Sequence, residues 1–252
     1  MSKGIGREFM ELTQYRYLEP SDQVLKKPQP PLEIEWDRSL PLIELPLPQN
    51  ITAGDVNVEL WLQQAIERRQ SVRDYGPEGI SLAQLSYLLW STQGVKKIIG
   101  NVAAMRTVPS AGARHALETY LLVNNVADLA PGLYRFLAIE HKLGAVSLAE
   151  NIAELVTAAC LQQKFVKECV ATFVWVAVPY RMTWRYGERG YRYLHLDAGH
   201  VCQNLYLAAE AIGCGVCAIG AFRDEDLNAV LGLDGEKQFA IYAATVGKLP
   251  HK

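Results

Sequence analysis

The stretch LHLDAGHVCQNLYLAAEAIGCGVCAIGAF, residues 194–222, decides the fold class. Val201, Leu205, Ala208 and Ile212 recur at helical spacing, which predicts a helix over about Leu196–Ile212 with those residues inward. Gly213 follows as a left-handed cap, and Val216–Ile219 then reads as a strand. Gly213-x-Gly215-x-x-Ala218 formally matches a dinucleotide fingerprint, but that fingerprint runs strand, glycines, helix. Here the order is helix, glycines, strand, so the match is discarded. Cys214-x-x-Cys217 straddles the same turn instead of opening a helix, as thioredoxin-like chemistry requires, and no second cysteine pair completes a zinc site. Both cysteines read as small buried residues.

Outward from this unit, further strands are predicted at Thr119–Val123, Leu133–Phe136, Ala145–Ser147, Ala171–Val178 and Phe239–Val246 from β-branched and aromatic runs. A helix from Asp55 to about Arg69 should place Val58, Leu60, Leu62, Ala65 and Ile66 near one face. Ser81-Leu-Ala-Gln84 and Ser147-Leu-Ala-Glu150 are capping boxes, in which hydroxyl and carboxamide or carboxylate satisfy orphan amides. The first opens a helix with Leu82, Leu85, Leu88 and Leu89 that ends near Gly94. The second opens one with Ile152, Leu155, Val156 and Ala159. The pattern gives a mixed sheet with helices packed on it, an α+β or α/β domain over 51–252. Residues 1–50 hold KKPQPP and LPLIELPLPQ, and proline fixes φ and removes donors, so this extension should be extended or looped and drape over the domain.

Composition sets bounds. The chain has 252 residues, 50% hydrophobic and 21% charged, enough to bury a real core. A net charge of -2 supplies no basic field, which argues against nucleic acid as a partner. No apolar run approaches the ~20 residues of a membrane span, and the N-terminus lacks the apolar core of a signal peptide. Five cysteines without a framework read as reduced thiols, so a cytoplasmic protein is expected.

Beside the Gly213–Phe222 turn, two further segments carry candidate chemistry. Arg68-Arg69-Gln70-Ser71-Val72-Arg73 offers guanidinium forks and a hydroxyl that suit a phosphate, or equally cations that offset a helix C-terminal dipole. Pro109-Ser110-Ala111-Gly112 is a small, Gly-containing turn that lets backbone amides approach a ligand, or an ordinary loop. Ser110 and His115 lack the G-x-S-x-G elbow of a hydrolase. The histidines at 115, 141, 195, 200 and 251 include no i, i+4 pair, and no metal site is expected.

The order and spacing of these segments resemble the nitroreductase family. Arg69-Gln-Ser-Val-Arg73-Asp-Tyr is similar to its R-[RH]-S-x-[RK]-x-[FY] opening. Pro109-Ser-Ala-Gly resembles its second flavin loop, Gly215-Val-Cys-Ala-Ile-Gly-Ala-Phe222 its third, and Ala244-Thr-Val-Gly-Lys248-Leu-Pro250 its last core strand and basic turn. PSAGARHALETYLLV, GLYRF and WRYGERGYRYLHLDAGHV look most like the azoline (thiazole/oxazole) dehydrogenase-like branch. There His115 stands where many nitroreductases carry Gln or Asn.

The resemblance implies an α+β fold with a central mixed, mostly antiparallel sheet and flanking helices, in an intertwined homodimer with FMN at the interface. It implies that Arg69, Gln70, Ser71 and Arg73 hold the phosphate and ribityl chain, with Lys248 near the phosphate. Pro109, Ser110, Ala111 and Gly112 would reach the flavin of the other subunit, with His115 at the end of that loop. The amides around Ile219, Gly220 and Ala221 would face the flavin N5 edge, where an amide tunes the redox step. Where azoline dehydrogenases carry a Lys-Tyr pair, this chain has Arg185-Tyr186 as the candidate catalytic pair, and an arginine cannot act as a base. The plainer reading of WRYGERGYRY is a basic, aromatic loop at the mouth of the site. Three functions follow: an FMN-dependent oxidoreductase using NAD(P)H with a small-molecule acceptor, an azoline dehydrogenase acting on a modified peptide, and a flavin-binding module without turnover.

Overall fold

The computed structural model describes residues 4–52, 54–57 and 59–250. Along the chain run α1 (Ile5–Leu12), β1 (Leu42–Glu44), α2 (Leu62–Arg68), α3 (Leu82–Gln93), β2 (Val95–Ile99) and β3 (Ala103–Arg106). Then come β4 (Leu117–Val123), β5 (Gly132–Leu137), β6 (Lys142–Ser147), α4 (Ile152–Ala159), α5 (Phe165–Glu168) and β7 (Ala171–Ala177). The chain closes with α6 (Pro179–Tyr186), α7 (Gly190–Glu210), β8 (Cys214–Ile219), α8 (Asp224–Leu231) and β9 (Phe239–Lys248).

Seven strands form one sheet in the order β1-β6-β5-β4-β7-β9-β8, and each pairing between these strands is antiparallel. The parallel contacts of the expected mixed sheet are isolated bridges, Ser71 with Val216 and Ile80 with Val126. The central strands are buried on both faces, and their two-residue alternation divides the core. Leu117, Leu121, Phe173 and Trp175 pack with Leu85, Leu88, Leu89, Val201 and Leu205 of α3 and α7. Tyr120, Leu122, Val174 and Val176 pack with Val156, Leu227 and Leu231 of α4 and α8. Each such fully buried aliphatic or aromatic side chain contributes roughly 1.5–3 kcal/mol. The fold is the expected α+β arrangement, a central antiparallel sheet with helices on both faces.

Local signals were obeyed where no long-range pairing competed. Gln84 N–H donates to Ser81 Oγ at 3.1 Å and Ser81 N–H donates to Gln84 Oε1 at 3.1 Å, a complete capping box at the start of α3. Gly213 has φ 64, the left-handed geometry that ends the helical segment before β8. The second capping box does not form. Ser147 is the last residue of β6, paired with Leu133, and the helix begins at Ile152 with Asn151 as its N-cap.

The helix expected from Asp55 starts only at Leu62. Asp55 Oδ2 accepts from Thr52 N–H and Oγ1, and Asn57 N–H donates to Ala211 O at 2.7 Å, so short polar side chains and a tertiary bond capture this backbone in turns. Of the residues expected near one face, Ala65 is buried, Leu62 and Ile66 are exposed, and Val58 lies outside the described residues. The β2–β3 hairpin was not read from the sequence, because Lys96 and Lys97 interrupt its apolar run.

The Pro-rich extension is irregular over much of its length but carries two elements that were not expected. Ile5, Phe9 and Leu12, at i, i+4 and i+7 and free of proline, form one face of α1. Leu42–Glu44 adds β1 to the sheet edge against β6. Between them the segment around residues 31–35 meets buried charges: Ile34 N–H donates to Glu118 Oε1 at 3.0 Å, and Arg181 Nε–H donates to Pro31 O at 2.9 Å. Arg181 and Glu118 form an ion pair at 2.5 Å with side chains 3% and 2% exposed. Among the described residues no helix is long and apolar enough to cross a membrane.

Candidate functional site

The Arg69–Arg73 segment runs from the C-terminal cap of α2 along the edge of β8. Val72 N–H donates to Val216 O at 2.9 Å, and Ser71 bridges Val216 in parallel. This approach needs bare backbone: a Cβ on Gly215 would meet Val72 Cγ2 at 2.5 Å, and one on Gly247 would meet the Tyr75 ring at 2.5 Å. Tyr75 hydrogen bonds to Thr245 Oγ1 at 2.8 Å, and its burial raises the phenol's pKa.

The anchor of the segment is Tyr206 of α7, which was not singled out in the sequence. Its hydroxyl lies 3.1 Å from Ser71 Oγ and accepts from Ala218 N–H at 2.9 Å, while the Arg69 guanidinium lies over its ring at 5.4 Å. Arg73 is exposed and near enough to Cys217 for its charge to oppose the rise that burial gives that thiol. Lys248 pairs with Cys214 in the strand register, two residues along β8 from Val216, and its ammonium donates to Ile212 O at 2.5 Å. Arg69, Ser71, Arg73 and Lys248 therefore gather at one edge of β8–β9, and Gln70 is exposed beside them. Burial raises the Glu210 carboxyl, and the nearby charges of Arg68 and Arg69 pull it back.

β8 then leads to the third segment. Ile219 is buried as the last strand residue, while Gly220 and Ala221 are exposed just beyond it. No atom lies within 4 Å of a Cβ built on Gly220, so the backbone there faces open space. Ala221 O is held by Gln163 Nε2 at 2.9 Å. Cys214 and Cys217 are buried and unpaired, as their reading required.

The Pro109–Gly112 loop gathers elsewhere. Ala111 N–H donates to Asp197 Oδ1 at 3.2 Å, and His115 N–H donates to Ser110 Oγ at 2.9 Å. Asp197 is 5% exposed, and burial raises its carboxyl against hydrogen bonds from Ser110 and Ala111. Its signal was in the sequence: position 197 falls on the same predicted face as Val201, Leu205 and Ala208, a lone acid among inward apolar residues. Asp197 and Tyr206 sit nine positions apart on one helix, so the two clusters are about 13 Å apart along α7. Within one chain the structure does not bring the loop together with the Arg69–Arg73 segment.

Arg185 and Tyr186 do meet the loop. A Cβ on Gly112, which has φ +57, would lie 2.5 Å from Tyr186 Oη and 2.8 Å from Arg185 Nε. The pair does not occupy a surface loop: Pro179 opens α6, and Arg185 and Tyr186 form its last turn. Tyr186 packs edge-on against Tyr193 with centroids 4.8 Å apart, and Arg189 Nε–H donates to Tyr193 Oη at 2.9 Å. His115 is buried, and burial, then the charges of Arg106, Arg114 and Arg181, push it down to about 3, so it stays neutral. Among the described residues no group of three or more His, Cys, Asp or Glu could hold a metal, and His251 lies outside them. A cavity of about 780 Å³ opens between Tyr87 and Trp90 of α3 and the turn at Glu140–His141, and none of the candidate cofactor-binding or catalytic residues lines it.

The nitroreductase family model matches residues 66–248, which spans every segment just described. The chain belongs to the nitroreductase family. It is 34% identical over 191 residues to the "Putative nitroreductase" of Methanocaldococcus jannaschii, covering 75% of this chain and 92% of that one. It is 27% identical over 212 residues to the trifolitoxin-processing protein TfxB of Rhizobium leguminosarum bv. trifolii, covering 82% of this chain and 57% of that one. Among solved structures, an Anabaena variabilis protein described as a putative nitroreductase superposes with a TM-score of 0.66 at 28% identity, over 85% of this chain and 42% of that one. The chain thus spans about half the length of the Rhizobium and Anabaena proteins. At the level of the family, it is an oxidoreductase.

Proposed function

We propose that this chain binds FMN and passes hydride from NAD(P)H to a small acceptor, and that it does so as a homodimer. The carrying observation is the convergence of Arg69, Ser71, Arg73 and Lys248, drawn from opposite ends of the domain, on one edge of β8–β9 beside Tyr206. These groups fit a phosphorylated flavin. Three cations and a hydroxyl suit a phosphate, and the open backbone at Gly220 leaves room for a planar ring.

FMN, when bound, would supply the two-electron exchange, and the chain's own residues need only bind, orient and exclude water. Arg69, Gln70, Ser71, Arg73 and Lys248 would hold the phosphate and ribityl end, and the amides at Ile219, Gly220 and Ala221 would face the ring edge. Pro109, Ser110, Ala111, Gly112 and His115 would complete the site of the other subunit. The ~13 Å between the clusters along α7 favours that division, and the exposed Trp61, Leu62 and Ile66 supply an apolar face for a second copy. Five buried, unpaired cysteines favour a reducing compartment such as the cytoplasm.

The purified protein should be yellow with one FMN per subunit, and NAD(P)H should bleach it until a quinone or nitroaromatic restores the colour. A colourless protein that takes up no added FMN refutes the proposal. One that holds FMN but is reduced by no donor is a binding module.

A second reading, azoline oxidation on a modified peptide, is supported by Tyr186 Oη beside Gly112 and by the similarity to a toxin-processing protein. Arg185 cannot take a proton, so Tyr186 would have to accept it. Bleaching by an azoline peptide but by neither nucleotide selects this reading.

A further inference from the structure

Gly112 is flanked by two guanidinium groups. Arg114 Nε–H donates to Gly112 O at 3.1 Å and its Nη2–H donates to Val102 O at 2.8 Å. Arg185 Nε would lie 2.8 Å from a Cβ on the same glycine. Arg114 is 6% exposed, yet neither arginine has a carboxylate within ion-pair distance among the described residues. Their neighbours are rings instead: Arg114 lies over Trp184 at 5.6 Å and Arg185 over Tyr186 at 5.6 Å. Burial lowers the pKa of Arg114, and the Arg185 charge lowers it further. The charge of Arg114 also helps keep His115 neutral.

Two like charges held together in a partly desolvated place repel unless an anion lies between them. A ring face offsets a guanidinium's charge only weakly and leaves N–H groups that no carbonyl engages free for an acceptor. Arg114 Nη1 has no protein partner among the described residues, and the Tyr186 hydroxyl adds a donor beside Arg185 at Gly112.

We propose that Arg114, Arg185 and Tyr186 form an anion subsite beside Gly112, and that the substrate of this enzyme carries a carboxylate which that subsite binds. This rests on the flavoenzyme reading above and narrows it to a substrate class. An aromatic carboxylate is the fitting probe, because rings of Trp184, Tyr186 and Tyr193 border the subsite.

The test pairs isosteric probes that differ in charge. FMN content is measured first, for wild type, Arg185→Gln and Arg185→Lys, so that a failure to bind flavin is recognised separately. Calorimetry then compares benzoate with benzamide, and turnover compares 4-nitrobenzoate with 4-nitrobenzamide by kcat/KM. Arg185 is chosen because it is only partly buried at the end of α6, whereas replacing buried Arg114 risks the fold. Benzoate should bind wild type about tenfold or more tightly than benzamide, the size of one charge-assisted bond. The preference should collapse to about twofold or less in Arg185→Gln and largely return in Arg185→Lys. Equal binding of the two probes to wild type, or a preference that survives Arg185→Gln, overturns the proposal. So does loss of FMN from Arg185→Gln with the probe preference intact, which would make the pair a cofactor contact. A protein that prefers benzoate but never binds FMN leaves the subsite standing and refutes the flavin reading alone.

Discussion

His115→Asn should make the protein markedly more acid-resistant. His115 is buried with φ 44, and its imidazole is held neutral, with burial and the charges of Arg106, Arg114 and Arg181 pushing it down to about 3. In the unfolded chain it titrates near 6.5, so the unfolded state binds the extra proton. Stability from this group is therefore greatest above pH 6.5 and falls as the pH drops towards 3. Each pH unit below 6.5 removes about 1.4 kcal/mol until the folded form titrates, so going from pH 7 to pH 5 removes about 2 kcal/mol. In a chain of this size that corresponds to a fall in Tm of about 4–8 °C. Asparagine tolerates the left-handed backbone at 115 and carries no titrating proton. Urea denaturation of wild type and variant, at matched flavin content and at pH 7 and 5, isolates the effect. His141, lowered mainly by its own burial, contributes equally to both proteins. If both lose the same stability between the two pH values, His115 is not the buried neutral group described.

Arg69→Ala and Arg73→Ala should each weaken FMN by about 1.5–3 kcal/mol in a fluorescence titration, with the circular dichroism unchanged. Wild-type affinity in both would mean that these arginines only cap α2. Glu118→Gln should destabilise by about 3–5 kcal/mol, because it leaves the buried Arg181 without its charge partner, and chemical denaturation reads this directly. Gly215→Ala should cost about 1–3 kcal/mol and weaken FMN, since its methyl would press on Val72 and lift the Arg69–Arg73 segment from β8. Light scattering should give a dimer, and a monomer with full FMN occupancy would refute the assignment of the Pro109–Gly112 loop to the other subunit.

The amino-acid sequence by itself determined the elements whose signal is local and repeated. β-branched and aromatic runs placed the central strands, apolar residues at helical spacing placed α3 and most of α7, and Ser81 with Gln84 fixed where α3 begins. The order of helix, glycines and strand around Gly213 was legible because each part needs only its own neighbours. The segments that supply the candidate site were legible too, since arginines, small residues and a serine at fixed spacing are a pattern in one dimension.

Tertiary structure decided what depends on residues far apart in the chain. Ser147 had the sequence of a helix cap, yet pairing with Leu133 kept it in a strand. Asp55 and Asn57 lay in a helical pattern, yet side-chain turns and the bond to Ala211 delayed α2. The partners that organise the site, Tyr206 beneath Ser71 and Asp197 beneath Ala111, are separated from them by 135 and 86 positions. No local propensity encodes such contacts. They exist because folding α7 onto the sheet buries its polar groups, and a buried hydroxyl or carboxylate must find its hydrogen bonds wherever the packing has brought a donor.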